Sequence, residues 1–323
     1  MEFQPFLLVI RLVQRSQIKP VPLSNALKYI TPPNSQQFLQ AQRLFHGRGH
    51  AYPDLHHLTI DWLPPVILIT LYAVENITDI KDLANRLQQL IPECQSIQLQ
   101  HRYKKLGPID IINGKKIHQL TINEEGLNYQ IQLGKSRNTG LFLDMKNGRD
   151  WVRHNTQDKS VLNLFSYTCG FSVVALDGGA SSVVNIDMSS PALSVGRENH
   201  RLNKQLLKQV KFEKLNIFKS FGRLKKRGPF DLLICDPPTF QKGSVDIAKD
   251  YPKILRRLDE FMAPAATLLL CLNAPELGAD FLHETMKKYA PDYQFIESIA
   301  APEVFKEAEN KELVVLIYKR LRK

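Results

Sequence analysis

The stretch Val161–Asp187, VLNLFSYTCGFSVVALDGGASSVVNID, decides the fold. An apolar run, Val161–Phe165, breaks into small residues at Ser166–Gly170; a helical pattern follows, and a second apolar run, Val183–Ile186, ends on Asp187. This is the pattern of a strand, a turn, a helix and a second, parallel strand. Small residues in such a turn let the backbone come close to a ligand, and the N–H groups that open the helix face the same spot. A carboxylate ending the second strand can accept both hydroxyls of a ribose. Any doubly wound enzyme can carry this unit, so it does not by itself name a chemistry. A dinucleotide fingerprint wants three spaced glycines, whereas Ser166, Thr168 and Cys169 surround the single Gly170, which argues against a nicotinamide dehydrogenase.

A second segment narrows the choice. Asp236-Pro237-Pro238 follows the apolar run Asp231–Cys235, which puts it at the C-terminal end of a strand, where open α/β sheets bind their ligands. The two prolines stiffen the backbone and remove two N–H donors, leaving carbonyls without competing donors. Phe240 adds an aromatic plate two residues further on. A rigid acceptor cluster beside a ring suits the edge and face of a flat heterocycle; the plainer reading is a Pro-rich turn that closes a strand.

Asn163–Val173 (NLFSYTCGFSV), Asn185–Ser189 (NIDMS) and Asp236–Phe240 (DPPTF), preceded by Thr139–Arg149 (TGLFLDMKNGR), resemble the S-adenosylmethionine-dependent ribosomal RNA methyltransferases of the large-subunit type. In that family cytosine-C5 and guanine-N7 enzymes share one catalytic fold. The likeness is most specific from Thr139 to Phe240 and thins out over Phe45 to the end. It implies that the Phe165–Gly170 turn, with Phe165, Ser166, Thr168 and Gly170, passes under the methionine part of S-adenosyl-L-methionine. Asp187 and Met188 would lie at the ribose, Asn216 and Ile217 at the adenine, and Asp236 beside the sulfonium. Asn216 departs from the aspartate of the family pattern, but an amide oxygen accepts the same hydrogen bond. Asp144 and Arg149 match positions near the amino-acid end of the cofactor, with an ordinary ion pair as the alternative.

The resemblance also implies catalytic work for Asp236, Pro237, Phe240 and Asn273. Phe240 would stack on a base taken out of its helix, and Pro237 and Asp236 would accept from its amino edge. Cytosine C5 needs a thiolate to add at C6 first. Asn273 occupies the position of that cysteine, and Cys271 stands two residues earlier inside an apolar run. A guanine nitrogen is therefore the favoured target, with cytosine C5, a non-RNA substrate, or a non-catalytic RNA-binding role as alternatives.

Composition is consistent with this. The chain has 323 residues and a formal charge of +11, from 43 Lys+Arg against 32 Asp+Glu, which favours a polyanionic partner such as RNA. Cys94, Cys169, Cys235 and Cys271 show no metal or disulfide spacing and read as reduced thiols of a cytoplasmic protein. His46 and His50, separated by Gly47 and Gly49, read as surface histidines, and no metal site is expected. Phe6–Val13 is interrupted by Arg11 and Leu63–Val74 contains Pro64 and Pro65, so no membrane segment is expected. A monomer and a homodimer are equally compatible with the sequence.

The expected architecture is α/β: a Rossmann-like methyltransferase domain of seven strands at residues 135–323, preceded by a small α/β domain at 46–134 that would serve as an RNA platform. Residues 1–45 read as a helical extension in two pieces broken at Pro32-Pro33. The seven apolar runs start near Val161, Val183, Phe212, Asp231, Thr267, Gln294 and Leu313. By resemblance, the last strand is antiparallel and lies between the fifth and the sixth.

Overall fold

The computed structural model describes residues 21–238, 240–241, 245–274, 276–308 and 313–321. After a short 3-10 helix, Leu23–Tyr29, the chain builds a sheet from β1 (Gln42–His46), β2 (Leu58–Leu63), β3 (Val66–Leu71), β4 (Ser96–His101) and β5 (Ile109–Gly114), in that spatial order. The β3–β4 pair is parallel because α1 (Ile77–Leu90) forms the crossover between them. Asn76 caps α1 by accepting the Thr78 N–H at 2.8 Å. One stripe of α1, Ile80, Leu83, Ala84 and Leu87, packs against Ile60, Trp62, Ile67, Ile69 and Leu99 on one face of the sheet. Alternation along the strands leaves Thr59, Asp61, Thr70, Tyr72, Gln100 and Arg102 on the other face.

A hairpin of β6 (Gln119–Glu124) and β7 (Leu127–Gln132) comes next, followed by α2 (Lys146–His154). The remaining elements are β8 (Ser160–Leu164), α3 (Gly170–Asp177), β9 (Ser182–Asp187), α4 (Ser190–Leu202), β10 (Val210–Lys214), α5 (Phe221–Arg227) and β11 (Phe230–Cys235). A short ribbon, β12 (Phe240–Gln241) and β13 (Val245–Asp246), leads to α6 (Ile247–Leu255), β14 (Met262–Leu272), α7 (Gly278–Tyr289), β15 (Tyr293–Ser298) and β16 (Val314–Arg320). The larger sheet has the order β10-β9-β8-β11-β14-β16-β15, with β16 antiparallel to both of its neighbours. The seven expected strands and the inserted antiparallel last strand are therefore present. Among the described residues no helix is long and apolar enough to cross a membrane.

Three expectations need correction. Val21–Phe45 is not two helices: its second half enters β1, where Gln42 and Arg43 pair with Trp62 and Asp61, so the sheet begins before residue 46. Partners across the sheet override the helical spacing of apolar residues there. The β6–β7 hairpin packs with the larger sheet as well as the smaller: Leu120, Ile122, Tyr129 and Ile131 share one core with Val161, Val173 and Val183 and with Leu63, Val66 and Leu68. On α4, the Asn199 and Asn203 side chains accept the N–H groups of Gln130 and Asn128, each at 2.8 Å, and so satisfy the free edge of β7. His46 is not a surface residue; it is half-buried against the Phe305 ring, 5.0 Å away, and its pKa falls to about 3 through burial and the charges of Arg43 and Arg48.

The hairpin is also tied to α2 by a buried ion pair. Arg149 donates from Nε to Glu124 Oε1 at 2.6 Å and from Nη2 to Oε2 at 2.7 Å, and both side chains are under 5% exposed (3% and 4%). Removing one partner would leave the other charge buried and uncompensated. Glu124→Ala is expected to lower the unfolding free energy by about 3–5 kcal/mol, read from the urea midpoint; a loss below about 1 kcal/mol would mean that water reaches the pair.

Candidate active site

Strand register assembles the site. Leu164 pairs with Ile186 on one side and with Cys235 on the other, so the residues that follow β8, β9 and β11 emerge side by side. These are Phe165, Asp187 and Asp236, at the point where the strand order reverses, the usual ligand crevice of an open α/β sheet. Lys214 pairs with Asp187, which brings Leu215, Asn216 and Ile217 to the same edge. Cys235 pairs with Leu270, which brings Asn273 there from β14. The Tyr251 hydroxyl fixes these last two strand ends, since its one proton is shared between the carbonyls of Cys235 (3.0 Å) and Cys271 (2.6 Å).

These ends enclose a cavity of about 630 Å³. Asp144, Arg149, Phe165, Ser166, Thr168, Gly170, Asp187, Met188, Asn216, Ile217, Asp236, Pro237 and Asn273 all line it. Of the catalytic and cofactor-binding residues expected from the sequence, Phe240 is not among them; its side chain lies outside the described residues. Sequence reasoning passed over Asn138, Phe142, Asn163 and Tyr167, which also line the cavity.

The turn after β8 is held in an unusual backbone form. Phe165 (φ 56°), Tyr167 (φ 47°) and Cys169 (φ 62°) all adopt left-handed conformations. For non-glycine residues this costs about 1–3 kcal/mol each. Several bonds hold it: the Tyr167 N–H donates to Asp187 Oδ2 at 2.9 Å, the Ser166 N–H to the Ile186 carbonyl at 3.1 Å, and Asn199 Nδ2 to the Thr168 carbonyl at 2.9 Å. The Thr168 hydroxyl is committed to the Gly140 carbonyl. Cys169 fits into a notch in α4 where a Cβ on Gly196 would stand 2.4 Å from its sulfur. Gly170 keeps an ordinary φ; its lack of a side chain instead admits Leu141, whose Cδ1 would lie 3.1 Å from a Cβ there.

Polar groups in the cavity lack partners. Among the described residues, Asp144 Oδ1, Ser166 Oγ and Asn216 Oδ1 are buried without a hydrogen bond, and all three residues line this cavity. Buried polar atoms of this kind are costly unless a ligand or water meets them. Asp187 accepts from Tyr167 and, at 2.7 Å, from the Ser189 N–H, one bond to each oxygen, so each oxygen keeps a further lone pair. Arg149 has three donors committed, two to Glu124 and one to the Phe142 carbonyl at 2.8 Å, and keeps two N–H groups. Beneath the turn, Asn163 donates to Asn185, Asn185 to Ser172, and Ser172 bonds His200 Nε2, each at 2.9 Å; burial lowers the His200 pKa to about 4 and keeps the ring neutral.

Two carboxylates share the floor. Burial, then the neighbouring Asp144 charge, raises the Asp236 pKa to about 7 against the pull of Arg149. Burial likewise raises Asp144, opposed by Arg43 and Arg149. Cys271 is 0% exposed and its thiol is pushed well above its usual range by burial first and by Asp236 second. Among the described residues no group of three or more His, Cys, Asp and Glu is placed to hold a metal ion.

A doubly wound sheet with its reversed strand inside one edge, and a ligand cavity at the switch point, define a Rossmann-like methyltransferase. The profile of a family described as S-adenosylmethionine-dependent methyltransferase matches residues 42–319, and the chain belongs to that family. It is an enzyme, and S-adenosylmethionine is its methyl donor. Ribosomal RNA large subunit methyltransferase I of Escherichia coli (strain SMS-3-5 / SECEC) is 32% identical over 273 residues, which cover 80% of this chain and 68% of that protein. The protein of the same name in Enterobacter sp. (strain 638) is 29% identical over 273 residues, again 80% and 68%. Among solved structures, SMU.776 complexed with SAH has a TM-score of 0.81 at 22% identity, covering 93% of this chain and 82% of that one. Trm5 of Methanocaldococcus jannaschii in complex with adenosine has a TM-score of 0.61 at 13% identity, covering 82% and 74%.

The raised Asp236 pKa has a consequence for stability. Between the unfolded value near 3.8 and the folded value of about 7, the native state binds more protons, so stability falls as pH rises across that window. Denaturant midpoints of the cofactor-free enzyme measured from pH 4.5 to 7.5 are expected to decline, and Asp236→Asn to flatten the slope. An identical slope in the variant would assign the effect to other groups.

Proposed function

We propose that this enzyme methylates a base of large-subunit ribosomal RNA, and that the base is a guanine accepting the methyl group on nitrogen. The observation that carries the reading is the cavity shared by the β8 turn, Asp187 and Asp236, which has the lining residues Asp144 and Asn273 in common with the neighbouring clefts at the small sheet. The RNA substrate is supported by the two large-subunit relatives and by the net charge of +11.

On this reading Asp187 holds the two ribose hydroxyls with its spare lone pairs, and the Asn216 amide oxygen accepts the adenine amino group. Ile217 and Met188 flank the ring. Ser166 and the backbone of the Phe165–Gly170 turn lie along the methionine part, Asp144 pairs with its ammonium, and Arg149 offers its two remaining N–H groups to its carboxylate. When bound, the cofactor supplies a methyl group on a positively charged sulfur, so little acid–base chemistry is asked of the protein. The work of the chain is to position: Pro237 and Asp236 present acceptors to the amino edge of the base, Asn273 reads a further edge, and Phe240 stacks on it. A positive charge beside Asp236 favours its ionised form, so cofactor binding would release a proton near neutral pH.

A cytosine-C5 reaction finds no nucleophile in Cys271, whose thiol lies inside the β14 core with its thiolate strongly disfavoured. Labelled S-adenosylmethionine incubated with total RNA from a strain lacking the gene is expected to mark RNA, and nucleoside digestion to place the label in guanosine. Label found only in protein or small molecules would end the reading. Cys271→Ala is expected to keep the transfer rate within about threefold, the effect of a small core change; its abolition in a folded variant would restore the thiolate mechanism.

A further inference from the structure

The face of the small sheet turned away from α1 carries the feature that the cofactor site does not explain. Beside the apolar Leu63 and Leu68 it carries polar side chains that lie under cover: Thr59, Asp61, Thr70 and Gln100 are each under 9% exposed and line a cavity of about 240 Å³ together with Tyr72 and Arg102. A neighbouring cleft of about 570 Å³ is lined by Arg48, His50, Tyr72 and Phe305. Both meet the cofactor cavity at Asp144 and Asn273. A buried sheet face is ordinarily apolar, and a polar one turned toward a cleft points to a polar ligand.

We propose that Arg48, Arg102 and Arg137, arranged around Tyr72, form a clamp for the phosphates that flank the target nucleotide of an RNA chain, and so aim its base at Asn273 and Asp236. The clamp deepens the reading of RNA as substrate and rests on it. Among the described residues none of the three guanidiniums is ion-paired with a carboxylate, in contrast to Arg43 beside them, which Asp61 neutralises. Glu307 lines the same cleft as Arg48. The three are held in place by neutral groups. Arg102 donates to Asn138 Oδ1 at 2.8 Å and to the Arg137 carbonyl, and Gln100 Nε2 reaches the same carbonyl at 3.2 Å. The Arg48 guanidinium lies over the Tyr72 ring, 4.3 Å from its centre. Burial first lowers the Arg102 pKa, and the charges of Arg137 and Arg48 add to this against the opposing influence of Tyr72 and Tyr167.

Position favours the RNA backbone over the cofactor. Arg102 and Arg137 line the 240 Å³ cavity and Arg48 the neighbouring cleft, and none of the three lines the cofactor cavity. Guanidinium forks match phosphate oxygens in two-bond geometry. A clamp on both sides of one nucleotide would hold the chain where a base is taken out of its stack.

The double variant Arg48→Ala/Arg137→Ala alters two exposed side chains, and Arg48→Lys/Arg137→Lys is its charge-keeping control. Affinity for a fluorescein-labelled mixed-sequence single-stranded oligoribonucleotide would be measured across salt concentrations, and affinity for SAH by calorimetry. The alanine pair is expected to bind the oligonucleotide about tenfold or more weakly, with the salt slope reduced by about 1.4, two contacts at 0.7 each. SAH affinity should be unchanged, and the lysine pair should retain the slope. The KM for ribosomal RNA lacking the modification should rise more than kcat falls. Unchanged oligonucleotide affinity and slope would overturn the clamp, as would a loss of SAH affinity or a lowered melting temperature accompanying the RNA defect. If the wild type labels RNA and the variants match it, the clamp alone falls; if the wild type labels no RNA, the substrate reading falls with it.

Discussion

The carboxylate of Asp187 does two jobs at the same time. It closes the turn after β8 by accepting the Tyr167 N–H and starts the next connection by accepting the Ser189 N–H, while the far sides of both oxygens face the cavity. Without it the alternating left-handed residues Phe165, Tyr167 and Cys169 would lose one of the bonds that hold them, and the backbone would relax toward ordinary φ values. On the proposed reading, the ligand-facing shape of the turn and the ribose-binding chemistry both depend on one side chain. Around it the fold adds supports that never touch a ligand: Asn199 on the Thr168 carbonyl, Cys169 in the Gly196 notch, and the neutral chain from Asn163 to His200.

On the proposed reading, the small sheet matters because its face turned away from α1 lines the cleft beside the cofactor cavity. Its apolar face is used up by α1, and alternation then obliges the other face to carry whatever it presents to the cleft. The Glu124–Arg149 pair and the asparagine bonds from α4 fasten the hairpin to the larger sheet, so the wall bearing Phe142 and Asp144 sits on a supported base. A site whose parts come from several strand ends is held to position by the sheet, and loops then have little freedom to misplace it.

Much of this was legible in the sequence. Strands that run through a two-sided core are continuous apolar runs, and β8, β9, β11, β14 and β16 show themselves in that way, while the edge strands β10 (VKFEK) and β15 (YQFIES) carry only short apolar patches. The residues at their C-terminal ends then have only one place to go, which explains why Asp187, Asn216, Asp236 and Asn273 share a cavity. What the sequence hid depends on tertiary partners. Helix α2, KNGRDWVRH, buries Gly148, Arg149 and Val152, and a stripe containing an arginine does not read as a buried face without its partner Glu124, twenty-five positions earlier. Strand β1 looked helical because its pairing partner is β2, and the left-handed turn gave no sign because its positions carry Phe, Tyr and Cys where glycine would be expected. The arginines of the cleft are scattered over residues 48–137, and only the folded sheet brings them together.

The central claim is that the cavity ringed by the β8 turn, Asp187 and Asp236 is where the methyl donor binds. Calorimetric titration of the pure enzyme and of Asp187→Ala with SAH tests it most directly. The account expects one site per chain in the wild type and at least a hundredfold weaker binding in the variant, about the loss of two charge-assisted hydrogen bonds, with the variant still folded by circular dichroism. Absence of binding heat in the wild type, or equal affinity in the folded variant, would contradict it.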